Sequence, residues 1–311
     1  MIEVISLGEM IVDMIAEGER QFCAHPGGAP ANVAMDCVRL GHSAAFIGKR
    51  GNDAFGNMLN QTLEQKGVDA TGFTSTDEAN TGLAFVFRKE AGEPSFFFYR
   101  NPGADELLDP EDIPSALFDG PKWFHFGSIS LYHDRSRAAT EHACKLAKDN
   151  NLIVSYDPNL RPHLLRERKG ALDAARNAAR YADVIKLGEK EALLITGESD
   201  EKDAVKSLFK SGIKMIAITR GSKGSSLILP HARADAFPPK VSPVDTTGAG
   251  DAFTAALICG MLEGDVFSND DIASLDDKRL SAVLEFASAV SAKSTEAEGA
   301  TAGVKRWGER P

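Results

Sequence analysis

Apolar and polar positions repeat along this chain with two different periods. From Trp123 onward, short apolar runs (Trp123 to Ile129, Leu152 to Tyr156, Val184 to Leu187, Lys214 to Thr219) are separated by longer stretches with helical spacing, such as Ser136 to Lys148 and the alanine-rich Ala171 to Ala182. Strand and helix in alternation predict a mostly parallel sheet, because parallel neighbours need a crossover and both sheet faces must be covered. Val4 to Leu7 is a similar strand that runs into Gly8-Glu9, and Val33, Ala34, Cys37 and Val38 mark one face of an early helix. Residues 83 to 100 alternate instead: Leu83, Phe85 and Phe87, then Phe96 to Tyr99, flank the turn Ala91-Gly92-Glu93-Pro94, which predicts a hairpin. Its apolar face is wider than a solvent-covered hairpin needs, so it covers a site, packs on another subunit or serves as a core hairpin. Late in the chain, an extended piece around Val241 and Val244 gives way to a helix whose Phe253, Ala256, Leu257, Gly260 and Met261 define one buried face. A terminal helix spans Leu280 to Ala292.

Composition narrows the class. The chain has 311 residues, 43% of them hydrophobic and 26% charged, which fits one large α/β domain with an appendage as well as two domains. A formal net charge of −10 supplies no phosphate-neutralising surface and argues against a nucleic-acid partner. It also repels anionic substrates, so a nucleotide would have to be held by local glycine loops, cations and metal. The four cysteines show no Cys-x-x-Cys spacing and read as reduced thiols of a cytoplasmic protein. Glu3, Glu9 and Asp13 interrupt the first apolar run, so no signal peptide is expected there, and no apolar run approaches the ~20 residues of a membrane span. The seven histidines lack zinc-ligand spacing, and neither a Gly-x-Ser-x-Gly elbow nor a Walker loop occurs.

The candidate chemistry sits where strands end. Gly248, Ala249 and Gly250 open the late helix, where unpaired N–H groups and the positive dipole end attract an anion. Asp251 follows in the first turn. It reads either as a complement to the helix dipole or as the base that takes a proton while a phosphoryl group is in transit beside it. Asp13, near the end of the first strand, reads equally as a ligand carboxylate or a solvated turn acid. Gly27 and Gly28 allow close backbone approach, and Asn32, one turn into its helix, offers a donor and an acceptor to a hydroxyl. Arg100 and Asn101 lie at the base of the hairpin. Asp157-Pro158-Asn159-Leu160-Arg161 puts further polar groups at a strand end, with Arg161 able to reach sugar or phosphate. Thr219 leads into Gly221 and Gly224, glycines three apart in a tight turn.

Val244 to Phe253 (Val-Asp-Thr-Thr-Gly-Ala-Gly-Asp-Ala-Phe) resembles the second signature of the ribokinase-like carbohydrate kinases. Pro26 to Asn32, followed by Leu40-Gly41 and Ile47 to Gly56, resembles their first. Tyr99 to Asp105 and Ser155 to Arg161 look like stretches found in bacterial and plant-type fructokinases, and the resemblance runs from Gly8 to Gly299. It implies a three-layer α/β/α sandwich with a mostly parallel central sheet, as a single domain over residues 1–311, and a small β-sheet lid from segments near 12–26 and 80–102. It also implies Asp251 as catalytic base, with Gly248, Ala249 and Gly250 as the anion hole. Asp13, Gly27, Gly28, Asn32, Arg100, Asn101, Asn159 and Arg161 would bind the sugar. Lys186, Thr219, Gly221, Gly224 and Ser288 would serve ATP. Glu191 would act on Mg²⁺ through water, although Gly188 replaces the asparagine that much of the family carries three residues earlier. Asp245, Thr247 and Gly299 would bind a monovalent cation such as K⁺. The lid often forms a homodimer contact in the family, so a dimer is expected.

Fructose leads among substrates, because both fructokinase-like stretches are present. 2-Keto-3-deoxygluconate is the runner-up, sharing the Arg161 motif, and ribose and nucleosides rank lower. A non-catalytic sugar-binding relative would have no reason to retain Asp251 and its glycine turn. A dinucleotide-binding oxidoreductase would need Gly-x-Gly-x-x-Gly after the first strand, where this chain has Gly8-Glu9-Met10.

Overall fold

The computed structural model describes residues 1–18, 20–87 and 95–304. Among them, nine strands form the central sheet: β1 (Val4–Leu7), β4 (Ala44–Gly51), β5 (Asp69–Thr76), β8 (Trp123–Gly127), β9 (Ile153–Asp157), β10 (Val184–Gly188), β11 (Met215–Thr219), β12 (Ser225–Ile228) and β13 (Arg233–Ala236). Their order is β13-β12-β11-β10-β9-β8-β1-β4-β5, parallel except for β12 and β13 at one edge. A separate four-stranded sheet, ordered β3-β2-β6-β7, is built from β2 (Ile11–Ala16), β3 (Phe22–Gly27), β6 (Leu83–Phe87) and β7 (Ser95–Tyr99). β6 and β7 pair antiparallel, as the alternation predicts, while the turn at Ala91 to Pro94 lies outside the described residues.

Alternate residues of the parallel strands feed two cores, which makes the three layers. One core holds Val4, Phe46 and Val184 with α1 (Ala29–Arg39), α2 (Ala54–Lys66), α8 (Ala249–Glu263), α9 (Asn269–Ala273) and α10 (Asp277–Ser294). The other holds Ile5, Ile47 and Ile185 with α3 (Asp134–Asp149), α4 (Pro162–Glu167), α5 (Ala171–Ala178), α6 (Glu189–Thr196) and α7 (Glu201–Lys210). The chain leaves β1 toward β4 on one side and later fills β8 on the other. The β1/β8 boundary is therefore the switch point where an open α/β sheet leaves a crevice at its carboxyl ends. The N-terminus of α1 is plugged into it: a Cβ on Gly8 would lie 2.5 Å from the Pro30 ring, and Ser6 donates to the Pro30 carbonyl at 2.7 Å.

Two sequence expectations change. Residues 237–248 form no strand; Pro238, Pro239 and Pro243 remove the donors a ladder needs, and the Val244 and Asp245 amides instead donate to Thr295 at 2.7 and 3.1 Å. Nor does α8 bury a single face. It lies between α1, α10 and the sheet, so Ala252 to Cys259 are buried all round, and its apolar positions carry little helical periodicity. No helix among the described residues is long and apolar enough to cross a membrane, and all four cysteines are free.

Candidate active site

The first turn of α8 lies at the carboxyl edge of the sheet. Its N-cap is Gly248, in the left-handed region at φ 77°, where a Cβ would fall 2.3 Å from the Ala300 carbonyl oxygen. Only glycine fits this contact without strain. No side chain caps the helix, so its first amides remain available to an anion. The Ala249 N–H already reaches the Thr246 carbonyl at 3.3 Å, which leaves the amides after it as the more open donors.

Asp251 is 6% exposed and held from two sides. Asn32 of α1 donates through Nδ2 to Asp251 Oδ2 at 2.8 Å, and Asn159 Nδ2 lies 3.5 Å from Oδ1. Burial pushes the Asp251 carboxyl up to about 6; the Asn32 hydrogen bond restrains the rise, Asp157 adds to it, and Lys186 and Arg161 oppose it. Burial likewise lifts Asp13, on β2, to about 6, with Arg161 lowering it and Asp251 raising it. Gly27 faces Asp13 so closely that a Cβ there would lie 2.2 Å from Oδ2. Gly28, at φ 118°, packs on the Glu9 carbonyl in the same way, with 2.3 Å left for a Cβ. Arg161 donates to Asn159 Oδ1 at 2.7 Å. Asp13, Gly27, Gly28, Asn32, Asn159, Arg161 and Asp251 are therefore gathered into one polar cluster. A carboxylate poised near neutrality beside an uncapped helix start is suited to taking a proton from a hydroxyl as an anionic group is transferred.

Arg100 turns inward. Its side chain is 2% exposed and pairs with Asp105 at 2.6 Å, with Glu106 3.8 Å away, while its Nε and Nη2 are buried with no hydrogen-bond partner among the described residues. Asn101 is exposed beside it.

A cavity of about 570 Å³ opens on the other side of the α8 start, lined by Thr219, Gly221, Gly224, Ser288, Ala249 and Phe253 among others. All the expected nucleotide residues except Lys186 line it. The Ser225 and Ser288 hydroxyls, 2.7 Å apart, form a hydrogen-bonded pair on its wall. On the terminal helix Ser288, Ser291 and Ala292 reach the cavity, whereas Ala287 is packed in the core.

Lys186 instead lies under the helix start. Its Nζ donates to Asp157 Oδ2 at 2.9 Å, and Thr254 of α8 reaches the same oxygen at 3.3 Å. Burial alone would lower the ammonium; Asp157, Glu191 and Asp251 outweigh it and raise it. Asp157 and Thr254 carry no assignment from sequence, although a lysine and an aspartate ending neighbouring apolar strands were a legible signal. The register that sets Ile185 beside Tyr156 brings the next pair, Lys186 and Asp157, side by side.

Glu191 folds back over Gly188. Its Oε2 accepts the Gly188 N–H at 2.7 Å, and Oε1 accepts that of Leu160 at 2.6 Å. A Cβ on Gly188 would sit 3.1 Å from Oε2, so the carboxylate occupies the space a longer side chain would claim. Each oxygen keeps a lone pair for the water shell of a magnesium ion, so the group fits that ion through water. Asp245 accepts from the Thr247 and Gly299 amides at 2.9 and 3.1 Å, which brings the three expected monovalent-cation residues together.

The family model described as pfkB family carbohydrate kinase matches residues 1–307. The chain is 40% identical over 310 residues to probable fructokinase-4 of Arabidopsis thaliana, covering 96% of this chain and 92% of that protein. Among solved structures, it is similar to a fructokinase with bound ATP from Xylella fastidiosa, with TM-score 0.91 and 29% identity over 99% of this chain and 96% of that one. It is also similar to a fructokinase double mutant from Vibrio cholerae O395 in fructose, ADP and potassium ion bound form, with TM-score 0.88 and 32% identity over 98% and 96% of the two chains.

Proposed function

Because the chain belongs to the pfkB family of carbohydrate kinases, we propose that this sugar kinase transfers the γ-phosphoryl group of ATP to free D-fructose, giving fructose 6-phosphate. The observation that carries the reading is Asp251: a buried carboxylate with its pKa near 6, held by Asn32 and Asn159, in a polar cluster beside a nucleotide-sized cavity. Asp251 takes the proton of the sugar hydroxyl, and the amides of the Gly248–Gly250 turn stabilise charge on the transferring group. Asp13, Asn32, Asn159 and Arg161 orient the sugar. Thr219, Gly221, Gly224 and Ser288 enclose the nucleotide.

Glu191 would hold Mg²⁺ through water, and Asp245, Thr247 and Gly299 would hold K⁺. These ions supply neutralising charge beside the phosphates. The small sheet serves as the lid that excludes competing water. Its exposed Phe87, Phe97 and Tyr99 suit it to pair with a second copy of the chain.

The fructose assignment rests on the likeness to fructokinases. Its test is ADP release from MgATP with potassium present, across fructose, 2-keto-3-deoxygluconate, ribose, glucose and adenosine. Turnover on fructose above the other four is expected. Preference for the keto-acid would keep the mechanism and give Arg161 the deciding contact, whereas sugar binding without turnover on any of the five would sink the catalytic reading.

A further inference from the structure

Asn159 holds a backbone conformation that its surroundings must impose. Its φ is 42°, in the left-handed region. Asn151 and Asp265 also have positive φ, but each follows the end of a helix, where a left-handed residue closes the last turn. Asn159 follows the end of β9 instead. Asparagine tolerates this region better than most residues, yet a loop left to itself would not settle there. The constraint is visible. The peptide joining Pro158 to Asn159 is gripped on both edges: its N–H donates to Asp157 Oδ1 at 3.1 Å, and its carbonyl accepts the Ser128 hydroxyl. Holding that plane leaves little freedom to the rotation at Asn159. The next amide, of Leu160, is tied to Glu191 at 2.6 Å.

The Ser128 anchor has an anchor of its own. Ser128 lies just past β8 and is 1% exposed, and its Oγ is 2.7 Å from the Tyr132 hydroxyl. A serine hydroxyl has one proton and a carbonyl can only accept, so Ser128 commits its proton to Pro158 and the phenol donates to Ser128. Burial pushes the Tyr132 phenol up to about 12, Glu9 and Glu191 add to the rise, and the Ser128 bond and Arg161 restrain it, so the phenol keeps that proton at neutral pH. We propose that Tyr132 and Ser128 are positioning residues for the sugar: their hydroxyls, acting in series, set the Pro158–Asn159 peptide and so aim Asn159 and Arg161. This rests on the kinase reading above and deepens it. Asn159 turns one end of its amide to Asp251 and accepts Arg161 with the other, so a rotation of the peptide beneath it would disturb both. Neither hydroxyl touches the sugar. Their effect on sugar binding passes through the turn.

The test is a double-mutant cycle of Ser128→Ala and Tyr132→Phe, with sugar affinity read by calorimetry and KM by ADP release, on the sugar that wild type binds most tightly. Ser128→Ala should weaken the sugar Kd and raise its KM about 10-fold, and Tyr132→Phe about 3-fold, with KM for ATP little changed. Because Tyr132 acts only through Ser128, the double variant should bind sugar no more weakly than Ser128→Ala alone. Thermal melts accompany each variant, since a purely structural relay would lower Tm and leave the Kd of the folded protein where it was. Changes in sugar Kd below about twofold in both single variants would overturn the proposal, and so would effects that add in the double variant. If Ser128→Ala does not fold, Tyr132→Phe decides alone, by the same twofold limit. A wild type that neither binds nor phosphorylates any of the five sugars would refute the kinase reading itself, whereas an active wild type with unmoved variants refutes only the positioning.

Discussion

Replacing the base should make the protein more stable as it makes it inactive. Burial lifts the Asp251 carboxyl from 3.8 to about 6, even though the Asn32 hydrogen bond, Lys186 and Arg161 pull it down. The native state thus holds this proton more tightly than the unfolded chain does. As pH rises, the unfolded chain releases it first, so stability falls between the two values and the full deficit is present above pH 6. Two pKa units correspond to about 3 kcal/mol. Asparagine keeps the shape of the neutral carboxyl and carries no charge at any pH, so Asp251→Asn escapes the deficit. The variant should exceed wild type by about 3 kcal/mol at pH 8, roughly 5 °C in Tm, and converge with it near pH 4. Paired urea and thermal melts at the two pH values measure the difference, with ADP release followed on the same preparations. Equal or lower stability of the variant at pH 8 would refute the reasoning, because it would mean that the protein solvates this charge as well as water does.

Two further outcomes follow from neighbouring contacts. Asn32→Ala removes a hydrogen bond to a charged acceptor, worth about 1.5–3 kcal/mol, and should raise the apparent pKa of kcat by ~1–2 units. Turnover would then fall several-fold at pH 7 and recover by about pH 9; an unmoved profile would detach the titration from Asp251. Arg100→Met should act on stability first, costing about 3–5 kcal/mol by leaving Asp105 buried without its cation, with KM for fructose little changed. A raised KM in a variant that melts like wild type would return Arg100 to the sugar.

The mostly parallel sheet was legible in apolar periodicity, because a buried parallel strand and its covering helix leave clear traces; the strand order was not. Asp251 and the glycine turn were legible for a local reason: a helix start is encoded by contiguous residues. The inward turn of Arg100 was not legible, because the acids that pair with it act through a turn that no periodicity describes. α8 looked one-sided in sequence, yet three elements from distant parts of the chain close around it. The Lys186–Asp157 pair depends on register between strands whose sequences lie about thirty residues apart, and that register is set by packing along the entire sheet. Gly188 looked like a loss, but in the fold the Glu191 carboxylate fills the vacated space.

The contact between Gly248 and Ala300 has a consequence for the order in which the enzyme comes into being. Asp251 meets Asn32 across 219 positions of sequence, and the turn that aims it is backed by residues made still later. Arg39 of the first helix also grips the Val304 carbonyl at 2.8 Å, tying the earliest helix to the last described residues. While the chain is being synthesised, β1 to β11 can already pair, but the catalytic turn has nothing to rest on until residue 300 has emerged and docked. A chain cut before residue 300 therefore holds the sheet and Asn32 but lacks the support on which the Gly248 turn rests.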